Sequence, residues 1–101
     1  MVKKPLKIQW DKKAIDELKN ILEHISEESP VGAKIVKNGI FDTVKVLKKT
    51  PFVFSADSLK SNNDNTYRAF TVYSYRVSYK VEKEVIKILR VRHTSREPLV
   101  H

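Results

Sequence analysis

The chain has 101 residues, no cysteine, and 20 Lys plus Arg against 12 Asp plus Glu, giving a formal charge of +8. That length allows one domain, spanning 1–101, with one modest core; the missing cysteine excludes disulfides and thiolate metal sites and suits a reducing cytoplasm. A charge this positive favours polyanions or an acidic protein as partners, while no apolar run is long enough to span a bilayer and Lys3-Lys4 precedes no apolar leader core.

Leu6-Lys7-Ile8-Gln9-Trp10 alternates and predicts a short first strand. Asp11 can cap a helix from about Asp11 to Ser26, since its carboxylate can accept from the free amides of the next turn. Ile15, Leu18, Ile21, Leu22 and Ile25 recur there at helical spacing. Ser29-Pro30 starts a second helix, with Ala33, Val36, Ile40, Val44 and Leu47 on one face. Gly39 inside it costs about 1 kcal/mol relative to Ala, and a close helix–helix contact would account for it. Thr50-Pro51 ends the pattern, because a residue before Pro is pushed out of helical geometry. Two helices joined by so short a link predict an antiparallel hairpin.

Phe52 to Asn65 is irregular, with Phe52 and Phe54 as anchors and Ser61-Asn62-Asn63-Asp64-Asn65 as a polar tip. Three β-type runs follow: Tyr67–Val72, Tyr75–Val81 and Val85–His93. Their short connections predict an antiparallel meander. The order strand, two helices, three strands is α+β.

Alternation places Tyr75, Val77, Tyr79 and Val81 on one face of their strand and Arg76, Ser78 and Lys80 on the other. In the last strand it places Leu89, Val91 and His93 opposite Ile88, Arg90 and Arg92. Arg76 is the first candidate, since a guanidinium holds phosphate bidentately and can stabilise phosphoryl transition-state charge. The alternative is a solvated arginine, or one paired with Glu82 or Glu84. Read as a surface cation, it should be removable with little loss of stability. His93 is a candidate general acid or base, or a packed strand-end residue. Lys48 and Lys49 complement the dipole of the second helix or bind phosphate. Arg90, Arg92 and Arg96 form a cationic cluster. Gly-rich phosphate loops and metal-ligand spacings are absent, so neither a metal nor a cofactor is expected.

Several segments together resemble the RelE/ParE superfamily of bacterial type II toxins, in its plasmid stabilisation branch. They are Trp10-Asp11, the hairpin bounded by Ser29-Pro30 and Leu47 to Pro51, Tyr67-Arg68, Tyr75-Arg76-Val77-Ser78-Tyr79-Lys80-Val81, and Ile88 through Pro98. The resemblance implies a compact α+β toxin neutralised by a cognate acidic antitoxin. RelE-like members cut mRNA on the ribosome; ParE-like members poison DNA gyrase. Arg76 matches an arginine that contributes to cleavage in the first branch. Lys48, Lys49, Arg68, Arg90, Arg92 and Arg96 are the matching target-binding candidates. The tail from His93 to Pro98 follows the ParE-like His-x-x-Arg-x-Pro pattern.

Charge gives a narrow lead to a metal-independent, ribosome-dependent endoribonuclease, with Arg76 and His93 catalytic. The alternatives are a non-enzymatic gyrase inhibitor and a small basic nucleic-acid-binding module.

Overall fold

The computed structural model describes residues 6–54, 56–57 and 60–96. In chain order they form β1 (Lys7–Trp10), α1 (Lys12–Glu28), α2 (Pro30–Lys49), β2 (Tyr67–Val72), β3 (Tyr75–Val81), β4 (Val85–His93) and a 3-10 turn (Thr94–Arg96). The α+β order expected from sequence is borne out. The sheet has four strands in the order β1-β4-β3-β2. The meander β2-β3-β4 is antiparallel, and β1 adds to it by pairing in parallel with β4, from Lys7 opposite Val85 to Trp10 opposite Ile88.

Local chemistry sets the helix ends. The Asp11 carboxylate accepts from the Lys13 amide at 2.8 Å, which fixes the start of α1. Ser29 serves both helices. Its amide donates to Ile25 O, while its hydroxyl accepts from the Gly32 amide at 2.9 Å. Pro30 then takes the first position of α2, where its missing N–H costs nothing. One residue therefore turns the chain from one helix into the next.

Both helices cover the same side of the sheet, the helix face. Ala14, Leu18, Ile40, Val44 and Leu47 meet Phe70, Val77, Tyr79, Val81, Ile86, Ile88 and Val91 in one core. The α2 seam is as the spacing predicts. In α1 the seam turns by one position: Ala14 is buried and Ile15 stays 48% exposed. Alanine at the contact lets the helix axis approach the sheet, where a branched side chain would hold it off.

Two expectations are corrected. Gly39 does not serve a helix–helix contact; it faces the β2–β3 turn. A Cβ there would stand 2.9 Å from Val72 Cγ1 and 3.2 Å from the Tyr73 ring. Tyr73, the first turn residue, has φ 54°, a left-handed conformation disfavoured for a bulky residue.

The second correction concerns β4. Ser78 pairs with Arg90 but Tyr79 pairs with Ile88, so Leu89 is an extra residue. This bulge switches which residues face inward. Ile86 and Ile88 before it and Val91 after it are all buried, and Ile88 and Val91 do not lie on opposite faces as simple alternation predicted. In β3 the alternation holds. Tyr79 donates its hydroxyl to Pro51 O at 3.3 Å. Burial pushes its pKa up to about 12, against a smaller lowering by the Arg68 charge.

Candidate functional site

The outer face of the sheet carries Arg76, Ser78 and Lys80 on β3, with Arg92 directly across from Arg76 and Arg90 across from Ser78. Strand pairing thus sets two guanidinium-bearing residues side by side at the end of the sheet where β3 begins and β4 ends. Ser78 is buried between these long side chains, and its hydroxyl has no hydrogen-bond partner among the described residues.

Arg76 is not a solvated cation. Its Nη2 lies 2.5 Å from Asp57 Oδ1, with the arginine side chain 21% exposed and the aspartate side chain 0% exposed. Neither sequence candidate for its partner applies, since Glu82 lies instead 3.7 Å from Lys80 and 3.4 Å from Lys87. Asp57 belongs to the irregular stretch after α2, which is stitched along the β2 edge. The Asp57 amide donates to Tyr67 O at 2.8 Å. Asn63 Nδ2 donates to both Asp57 O at 3.1 Å and Tyr67 O at 2.7 Å.

Arg68 does similar stitching. It donates to Phe54 O at 2.6 Å and Asn65 O at 3.0 Å, with its guanidinium 4.6 Å from the centre of the Phe52 ring. Phe54 anchors the stretch against Phe70, with ring centres 5.4 Å apart. Phe52 remains 56% exposed and carries the arginine in place of joining the core. By alternation with buried Phe70, Arg68 belongs to the helix face, away from Arg76.

Lys48 and Lys49 close α2 at the other end of the sheet. Lys48 O accepts from the Leu6 amide, beside the Lys7–Val85 pair where β4 begins. Arg92 and His93 stand at the far end of that nine-residue strand, on the order of 25 Å away at the usual rise per residue. The structure therefore separates these lysines from the arginine pair. The backbone of Arg96 closes the 3-10 turn; its side chain lies outside the described residues.

Arg90 turns to α1. Its guanidinium makes hydrogen bonds of 2.7 to 3.0 Å with both carboxylate oxygens of Glu17. Glu17 also accepts from the Val91 amide at 3.0 Å, so its carboxylate serves the β4 edge beyond the end of β1. Burial pushes the Glu17 pKa up, but the Arg90 hydrogen bonds, the Val91 amide and the Arg90 and Arg92 charges outweigh this and hold it below 4.5.

On the helix face, His93 lies opposite Tyr75, with ring centres 5.2 Å apart and planes at 90°. The Ser95 amide donates to His93 Nδ1 at 3.0 Å, and Ser95 Oγ lies 2.7 Å from the same atom. An amide N–H can only donate, so Nδ1 is an acceptor and the neutral ring carries its proton on Nε2. In this arrangement His93 presents a donor, not a base. These residues border a cleft of about 520 Å³ between the end of β4 and α1. Glu17, Asn20, Ile21 and His24 form its helical wall. Tyr75, Val91, Arg92, His93 and Ser95 form the other.

The structure thus brings Arg76 and Arg92 together and puts His93 on the opposite side of the sheet. Sequence reasoning missed Asp57, Glu17 and His24. Asp57 sits in a stretch without periodicity, and Glu17 looks like any polar residue on an amphipathic helix. Only the i, i+3, i+4, i+7 spacing of Glu17, Asn20, Ile21 and His24 signalled a shared helix face. Among the described residues no group of three or more His, Cys, Asp or Glu could hold a metal, and no helix is long and apolar enough to cross a membrane.

The family model described as the ParE toxin of type II toxin–antitoxin system, parDE, matches residues 8–98. Among solved structures, the chain is similar to that of the chromosomal ParDE toxin–antitoxin system from P. aeruginosa. The TM-score is 0.69 at 22% identity, covering 87% of this chain and 95% of that one. It is also similar to the toxin–antitoxin complex RelBE2 from Mycobacterium tuberculosis. There the TM-score is 0.59 at 17% identity, covering 91% of this chain and 94% of that one. No curated protein matches the sequence at a significant level.

Proposed function

The chain belongs to the ParE toxin family of type II toxin–antitoxin systems, and from that premise we propose that it arrests growth as a non-cleaving inhibitor of DNA gyrase, held in check by an acidic antitoxin. The observation that carries this reading is the separation of the two residues that cleavage would use. The β3–β4 register places Arg76 and His93 on opposite faces of one sheet, which speaks against their acting as a pair on one scissile phosphate. His93 also offers Nε2–H, whereas activation of a 2′-hydroxyl needs a free basic nitrogen. A toxin that acts by binding alone needs neither.

The working surface in this reading is the end of the sheet with the Arg76–Arg92 pair. Arg96 is assigned a target-binding role from the ParE-like sequence pattern His-x-x-Arg-x-Pro alone. Lys48, Lys49 and Arg68 do not belong to that surface: the lysines lie at the other end of the sheet and Arg68 is spent on backbone carbonyls. Arg90 is engaged with Glu17 and contributes by fixing the strand end. The excess of basic over acidic residues gives an acidic antitoxin a complementary field over the same surface. The site of action is the cytoplasm, where the target is found.

The competing reading, ribosome-dependent mRNA cleavage, draws on one observation: Arg76 and Arg92 are cross-strand neighbours and could together clamp a phosphate. One experiment separates the two. Purified toxin is added to gyrase with relaxed plasmid and, in parallel, to ribosomes translating a defined mRNA. Loss of supercoiling with intact mRNA is the expected result, and the antitoxin should reverse it. Discrete mRNA fragments that require ribosomes, with gyrase unaffected, would overturn the proposal.

A further inference from the structure

The cleft between α1 and the end of β4 shares Arg92 with the surface described above, and the rest of its lining has a selective chemistry of its own. Its lining includes the apolar Ile21 and Val91, the latter buried. At its rim stand a guanidinium, two imidazoles and a phenol ring. Glu17 is the acidic group in its lining, and Arg90 already meets that charge at 2.7 Å. Arg92 is different: its charge acts on Glu17 through space, but no hydrogen bond or ion pair engages it among the described residues, so its donors are available to whatever enters. His93 is locked by Ser95 so that Nε2–H is free to donate. The volume of about 520 Å³ lies within the range of pockets that enclose small ligands.

A guest that suits this lining is planar and aromatic on one side and anionic on the other. We propose that the cleft binds a nucleotide, its phosphate on Arg92 and His24 and its base against Tyr75 and His93 beside the apolar Ile21 and Val91. Planar guanidinium donors match phosphate oxygens, and an aromatic wall accepts any base by its π-face. Two sources present the same chemistry: a free mononucleotide, or an unstacked nucleotide within a single strand. Either would make this side of the toxin sensitive to nucleotides, with Arg92 as the residue it shares with the outer face.

The test uses the full chain and three probes: AMP, a single-stranded hexanucleotide and inorganic phosphate. Binding is followed by the ring resonances of His24, His93 and Tyr75. The expected result is saturable shifts confined to these residues, with AMP at least about tenfold tighter than phosphate. Arg92→Gln and Tyr75→Leu should each weaken AMP about tenfold or more, the effect of losing one charge-assisted hydrogen bond or one stacking wall. Lys80→Ala, on the outer face, should leave binding unchanged. Saturation by AMP assigns the free nucleotide. Saturation by the hexanucleotide alone, with the same dependence on Arg92 and Tyr75, assigns the strand. The proposal is overturned if neither saturates, if phosphate binds as well as both, or if binding survives both cleft variants. Saturation by an acidic peptide but by no nucleotide would make the cleft a protein-docking site and overturn it too.

Discussion

Removing Arg76 should damage the fold far more than removing its partner. Arg76→Ala leaves the Asp57 carboxylate, whose side chain is 0% exposed, inside the protein without its countercharge. Breaking a buried pair from one side costs about 3–5 kcal/mol. Other contacts of Asp57 persist, so we expect about 3 kcal/mol. For a chain of this length that is a fall in melting temperature of about 15 °C. Asp57→Ala is milder. The guanidinium it abandons is already partly exposed and can turn to water, so we expect about 2 kcal/mol, one charge-assisted hydrogen bond together with the other contacts of Asp57. The double variant should be more stable than Arg76→Ala alone, because the stranded carboxylate is gone, and the coupling between the two positions should exceed about 1 kcal/mol. Urea denaturation of all four proteins at neutral pH measures this directly. An Arg76→Ala cost below about 1 kcal/mol, or an Asp57→Ala cost larger than that of Arg76→Ala, would refute the reasoning. The sequence alone suggested that Arg76 could be removed at little cost to stability; the buried partner reverses that expectation. Any loss of toxicity in Arg76→Ala must therefore be scored per folded molecule.

Three further outcomes follow from the packing and the titrating groups. Gly39→Ala gains about 1 kcal/mol of helix propensity but drives a Cβ to 2.9 Å from Val72 Cγ1; we expect a net loss of about 1 kcal/mol, abolished in a Val72→Ala background, by thermal melts. Glu17 has a lowered folded-state pKa, so its stabilisation is complete above about pH 4.5, its ordinary value, and is lost as pH falls through the folded value. Glu17→Gln should therefore lower stability at pH 7 and flatten the acid limb of the urea-midpoint profile; parallel profiles below pH 4.5 would contradict this. Tyr79 has a raised pKa of about 12, so its contribution is full below pH 10, its ordinary value, and is lost as pH rises toward 12; Tyr79→Phe should cost about 1 kcal/mol at pH 7 and remove that alkaline loss, read from melts between pH 7 and 11.

The element order was legible because each element carries its own local signal. Asp11 and Ser29 cap helices by chemistry that lies within three residues of them, and the change from helical to two-residue periodicity marks the meander. What was not legible depends on distant residues. The Arg76–Asp57 pair spans 19 positions, and one member sits in a stretch with no periodicity to place it. The Arg90–Glu17 pair spans 73. The bulge at Leu89 is equally hidden. Val85 through Val91 is apolar at most positions, so alternation could not reveal the extra residue; it kept Val91 and His93 opposite Arg90 and Arg92, as found, but wrongly put Ile88 on the arginine face. Alternation within each strand could not relate the faces of β3 and β4; the register does, setting Arg92 beside Arg76 and His93 on the other face.

The cleft has a chain of causes that begins with a helix cap. Asp11 donates its amide to Ile88 O at 2.9 Å, as a strand residue would, but its carboxylate already accepts from Lys13, and a helix starts there. β1 cannot run past this point without losing its cap, so the β4 edge beyond Ile88 has no strand beside it. Its Val91 amide would otherwise be unpaired; Glu17, less than two turns into α1, supplies the acceptor. A carboxylate at that edge requires a counter-ion, and Arg90, shifted by the bulge, reaches it. Arg92, one step further on, makes no ion pair among the described residues, and α1 continues from Glu17 to His24 as the facing wall of the cleft. The charge and the space that define the cleft are therefore both consequences of where β1 must stop. Asp11→Ala tests this order of causes: with the cap removed, the first turn of α1 should fray and the Glu17–Arg90 contact should weaken with it, whereas an unchanged Glu17 titration in that variant would show that the cleft is set by α1 packing alone.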